Sequence, residues 1–75
     1  MCLGVPGIVQ SVESEWSATV NVSGVTRNIN IAYLSDLEKA NIQGQWVLVH
    51  VGFAMAVIDE KDAKATLELL SQLSE

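Results

Sequence analysis

Cys2 is the only cysteine of the chain and His50 its only histidine. The thiol sits directly behind Met1, inside the opening run Met1-Cys2-Leu3-Gly4-Val5-Pro6-Gly7. A single thiol is neither half of an internal disulfide nor a self-sufficient metal site, since both need further ligands. It therefore acts with an outside partner or packs as a small hydrophobe, the ordinary role of a lone cysteine. Removal of Met1 would leave Cys2 with a free amine close to its sulfur, and the positive charge of that amine favours the thiolate that binds metals or attacks electrophiles. His50 lies in the second chemically suggestive run, Gly44-Gln45-Trp46-Val47-Leu48-Val49-His50-Val51-Gly52-Phe53-Ala54-Met55. Its imidazole is either a hydrogen-bonded structural group or, brought near Cys2, a base, proton relay or second ligand. One thiolate and one imidazole fall short of the four ligands of a closed zinc site. They fit a carrier that completes the coordination of a soft metal fragment with ligands from another protein and then passes it on.

The elements that position these groups read mainly as strands. Ile8 to Val12 has strand character, followed by a turn at Glu13-Ser14-Glu15. Trp16, Ala18, Val20 and Val22 then alternate with polar residues, and Ser23-Gly24 is a hairpin turn leading to a second alternation through Ile29, Ile31 and Tyr33. Leu34 to Gln45 reads as a loop, with Ser35 to Ala40 able to form one capped helical turn. Trp46 to Val51 and Phe53 to Val57 are two more strands around Gly52. In strand geometry Trp46, Leu48 and His50 project to one side and Val47, Val49 and Val51 to the other, a run apolar enough on both faces to suggest burial. Asp59 caps a helix in which Ala63, Thr66, Leu67, Leu70 and Leu73 form one apolar stripe and Leu69 lies off it. The expected architecture is one small β-barrel with a C-terminal helix, divided into an N-terminal cysteine motif (1–7), the barrel (8–57) and the helix (59–73). Trp16, Trp46 and Met55 read as core and rim packing.

With 75 residues, 49% of them hydrophobic, the chain makes one domain with a surplus of apolar residues suited to docking on a partner. Nine acidic against four basic residues give a net charge of −5, which repels phosphate backbones and anionic headgroups. Nucleic acid is an unfavoured ligand. The longest apolar stretch, around Trp46 to Ile58, is interrupted by His50 and Gly52 and too short to span a bilayer. The expectation is a soluble, cytoplasmic protein with no membrane partner, and an unpaired cysteine agrees with a reducing compartment.

Together the two runs quoted above resemble the HypC/HupF/HybG family of [NiFe]-hydrogenase maturation chaperones. The resemblance extends over the whole chain, including the Ile58-Asp59 pair before the helix. It implies a small OB-fold-like barrel with Cys2 exposed at the N-terminus once Met1 is removed. It also implies a role without catalysis: the protein joins HypD, holds an iron atom bearing cyanide and carbon monoxide, and delivers it to the hydrogenase large-subunit precursor. Cys2 would be one iron ligand and a HypD cysteine another, His50 an assisting residue, and Cys2, Leu3, Gly4, Val5, Pro6 and Gly7 the partner-binding motif. No permanently bound cofactor is implied. Gln45 departs from the family pattern, in which the position before Trp46 is often acidic.

Three other readings compete. An N-terminal-nucleophile enzyme using Cys2 and His50 normally needs a far larger scaffold. A single-strand-binding barrel would stack bases on Trp16, Tyr33 and Trp46, against the charge. A protein-binding adaptor would carry Cys2 as a structural residue and no iron.

Overall fold

The computed structural model describes residues 4–73. Five strands, β1 (Val5–Ser14), β2 (Ser17–Val22), β3 (Val25–Asn30), β4 (Trp46–His50) and β5 (Phe53–Ile58), close into a barrel of neighbour order β1-β2-β3-β5-β4. A short helix α1 (Asp36–Lys39) lies between β3 and β4, and α2 (Glu60–Leu73) follows β5. This is the mainly β, OB-like barrel with a C-terminal helix that the sequence leads one to expect. No described helix is long and apolar enough to cross a membrane.

Closure depends on β1. It pairs antiparallel with β4 through Val5 to Ile8 and with β2 from Ile8 to Ser14. Register shifts around Gln10 and Glu13 bend the strand, as an extra residue on one side of a ladder does. The second is held by the Glu13 carboxylate, which accepts hydroxyl hydrogen bonds from Ser11 at 2.6 Å and Thr19 at 2.8 Å. Those two bonds, Ser11 first, hold the Glu13 carboxyl below its ordinary pKa.

The first strand starts at Val5, three residues before the start read from sequence, so Val5, Pro6 and Gly7 belong to the barrel wall. Their composition argues against a strand, and their neighbours explain why one forms. The Val9 amide donates towards β4, to the Gln45 carbonyl at 3.0 Å. By alternation along the strand, the missing amide of Pro6 faces the other side, where the β1 and β2 ladder has ended at Ile8 and Asn21. Gly7 is buried, and a Cβ there would meet Val20 Cγ1 at 2.6 Å and the Asn21 carbonyl at 3.0 Å.

The core is built from short and β-branched side chains that fill a narrow barrel, chiefly Val9, Val20, Ile29, Ile31, Val47 and Val49. The aromatics are not among them. Trp16 is 65% exposed, Met55 is 49% exposed and Trp46 is half-buried, so of the core and rim packing read for them the rim part holds and none lies in the core. Tyr33 also leaves the alternation of β3, because the strand ends at Asn30 and only Ile29 and Ile31 point inwards.

The two hairpins turn through Ser23-Gly24 (φ 52° and 88°) and Val51-Gly52 (φ 51° and 80°). Left-handed values at both positions mark the two-residue type I′ turn that matches strand twist. The segment from Leu34 to Gln45 holds a helical turn where a loop was read. Ser35 Oγ accepts from the Glu38 amide at 3.2 Å and the Glu38 carboxylate from the Ser35 amide at 2.8 Å, a reciprocal cap. At the second helix Asp59 Oδ1 accepts from the Asp62 amide at 2.7 Å. Ala63, Thr66, Leu67 and Leu70 turn away from solvent and α2 rests on β1 and β4, while Leu69 is exposed, as its stripe requires.

Two predictions follow from this packing. Gly7→Ala should destabilise the barrel by about 1–3 kcal/mol, because valine side chains and a carbonyl already occupy the space; denaturant unfolding measures it, and an unchanged midpoint would contradict the tight fit. The Ser35 amide, then the Ser35 hydroxyl, hold the Glu38 carboxyl below its ordinary pKa. A depressed folded pKa gives stability that is present at neutral pH and lost as pH falls through the carboxylate range. Glu38→Gln should therefore melt below the parent at pH 7, and the gap should close on acidification. A constant gap would sink the assignment.

Candidate functional site

The two runs singled out in the sequence lie side by side. Val5 pairs with Val49, Pro6 with Leu48, Gly7 with Val47 and Ile8 with Trp46. Opposed residues of an antiparallel pair share a face, so Pro6, Ile8, Trp46 and Leu48 lie on the outer face while Gly7, Val47 and Val49 look inwards. Gly4, just before Val5, and His50, just after Val49, flank the same end of this ladder. The N-terminal motif thus leaves the barrel beside His50. Cys2 and Leu3, the remaining members of the motif, lie outside the described residues.

Close approach explains Gly4. The Leu48 side chain occupies the space a Cβ on Gly4 would need, with Cδ1 and Cδ2 of Leu48 each 2.9 Å from that position. The glycine lets the chain run flat against Leu48. Pro6 is fully buried and fixes the backbone two residues later.

His50 is half-buried at the end of β4, on the outer face with Trp46 and Leu48. The burial read for both faces of this strand holds for the inner one, where Val47 and Val49 are in the core. Across the hairpin His50 pairs with Phe53, whose ring centroid is 5.2 Å from that of Tyr33 at an interplanar angle of 47°. The imidazole therefore stands between the N-terminal motif and an aromatic pair. Among the described residues no three His, Cys, Asp or Glu side chains come together as a metal site.

One participant was not read from sequence. Val51, next to His50, is 78% exposed and holds φ at 51°, where a β-branched residue is strained. The signal was available: a two-residue connection between β-prone runs demands left-handed backbone at both positions, and only Gly52 is suited to it. Strain of this kind concentrates where a structure has a use for a fixed backbone. Val51→Asn, which tolerates the left-handed region, should stabilise the protein by about 1 kcal/mol, since the exposed valine loses little packing. A lowered midpoint in denaturant unfolding would show that the valine side chain has a packing role instead.

Residues 1–70 match the model of the HupF/HypC family. The chain is 52% identical over 75 residues to the hydrogenase maturation factor HybG of Escherichia coli strain K12, covering 97% of this chain and 92% of that protein. It is 43% identical over 77 residues to the hydrogenase maturation factor HypC of Rhodobacter capsulatus, covering all of this chain and 80% of the relative. It is also 46% identical to the Frd operon uncharacterized protein C of Proteus vulgaris, again across its full length and 80% of the relative. On the match of 70 residues and full-length relatives at this identity, the chain belongs to the HupF/HypC family.

Proposed function

We propose that this chain is a cytoplasmic hydrogenase maturation chaperone, a carrier and not an enzyme. Together with HypD it holds an iron atom bearing cyanide and carbon monoxide and hands it to the [NiFe]-hydrogenase large-subunit precursor. The observation that carries the proposal is the pairing of Val5 to Ile8 with Trp46 to Val49, which brings the N-terminal motif to His50. Family membership and relatives named hydrogenase maturation factors support the same reading.

In this mechanism the Cys2 thiolate donates one ligand to the iron cargo and a HypD cysteine donates another. A carrier must release what it holds, and one soft ligand per protein makes a site that dissolves when the two proteins part. The partner contact is assigned to Leu3, Gly4 and Val5, while Pro6 and Gly7, buried in the barrel, serve as their root. Here the barrel contributes rigidity: Pro6 and Gly7 are locked in the wall, so the cysteine is presented from a fixed root. His50, at the edge of that root, assists the cargo or its diatomic ligands through an imidazole nitrogen.

The test is to purify wild type, Cys2→Ala and His50→Ala with co-expressed HypD, measuring iron content and infrared absorption of metal-bound cyanide and carbon monoxide. Wild type should carry iron with those bands, Cys2→Ala should lose both without a change in melting temperature, and His50→Ala should fall between. Equal iron and equal bands in wild type and Cys2→Ala would overturn the carrier reading in favour of a protein-binding adaptor.

A further inference from the structure

The barrel has one weak seam. Strands β3 and β5 are parallel neighbours whose register consists of Asn30 against Phe53, the last residue of one strand and the first of the other. The rest of the two strands lies on opposite sides of that junction, and the Val51-Gly52 turn folds back where β3 would need a neighbour. The rest of β3 is therefore an edge. The two-residue turn makes Val22 and Val25 a hydrogen-bonded pair, and alternation then directs the amides and carbonyls of Val25, Arg27 and Ile29 to β2. Those of Thr26, Asn28 and Asn30 point outwards. Asn30 shows the rule at work, since its amide donates to the Gly52 carbonyl at 2.9 Å. Thr26 and Asn28 are exposed and carry the same outward groups, with no strand beside them among the described residues.

Next to this edge lies a groove whose apolar lining comes from Val5, Val22, Ile29, Val49 and Val51, with Arg27 as its one charged residue. Arg27 forms no ion pair with a described residue, and none of the described residues lining the groove is a carboxylate, although the chain as a whole carries −5. The groove is continuous with the site above: Val5 and Val49 are the pair that ends the β1 and β4 ladder beside Gly4 and His50.

We infer that the β3 edge is a docking strand for an extended segment of the partner protein, one that carries an apolar side chain for the groove and a carboxylate for Arg27. A strand laid against Thr26 and Asn28 would pair their outward backbone groups and also cover the apolar floor. Arg27 selects the sign of the segment, and the position of the groove sets it alongside the N-terminal motif. The inference rests on the proposed function for the identity of the partner, HypD.

Amide hydrogen exchange, followed by NMR on the free chain and on its complex with HypD, tests it. In the free chain Thr26 and Asn28 should exchange fast and Arg27 and Ile29 slowly. In the complex Thr26 and Asn28 should slow at least about tenfold. Thr26→Pro removes an outward amide and no bond to β2, so it should keep the melting temperature yet weaken the complex at least about tenfold, while Thr26→Ala should bind as wild type. Arg27→Glu should weaken it further at low salt than at high salt. A complex that forms with Thr26 and Asn28 exchanging as in the free chain overturns the inference alone. Absence of any complex with HypD contradicts the functional reading and removes the inference with it. Protection already present in the free chain and rising with its concentration would show a second copy as the occupant, which also overturns it.

Discussion

The pairing of β1 with β4 is the constraint on which the rest depends. It closes the barrel, since β1 is the strand shared by the β2 side and the β4 side, and it roots the N-terminal motif beside His50. Residues 5–8 meet residues 46–49 across some forty positions of chain, a contact of high loop-closure cost that must be repaid by burial of Pro6, Gly7, Val47 and Val49. Gly7 and Gly4 belong to the same constraint from opposite faces: Val20 leaves no room inside and Leu48 leaves none outside.

A small closed barrel also explains the distribution of side chains. Its interior accepts valine, isoleucine and alanine, so tryptophan, tyrosine and methionine are pushed to the rim, where Tyr33 and Phe53 meet beside His50. Helix α2 then rests on β1 and β4, and Pro6 of β1 is fully buried. What remains uncovered is the seam between β3 and β5, the one place where the ladder is a single pair. The molecule is rigid where the motif is rooted and unfinished where backbone is still free to pair.

Much of this was legible in the sequence because the signals are local. Ser23-Gly24 has the residues of a type I′ turn and the alternation on both sides of it has period two, so the β2 and β3 hairpin follows directly. Asp59 and the stripe through Ala63, Leu67 and Leu70 specify α2 in the same way. The misread parts are those decided at long range. Pro6 and Gly7 look like punctuation until β4 is beside them and β2 has turned away, and Trp16 looks like core until the barrel proves too narrow for it. The turn at Ser35 was readable as a cap but depends on Glu38 reaching back, a geometry that spacing permits without requiring. Of the candidate site, the sequence supplied the two runs and the resemblance supplied their use; their adjacency is a property of the fold.

The proposed role turns on a Cys2 thiolate that shares a metal with a partner. Iron-edge X-ray absorption of the complex with HypD addresses it at the atom concerned. The account predicts sulfur ligands around the iron of the wild-type complex and loss of the iron edge from the Cys2→Ala complex, which should still form. An unchanged sulfur shell in the variant would place the iron wholly on the partner and contradict the claim.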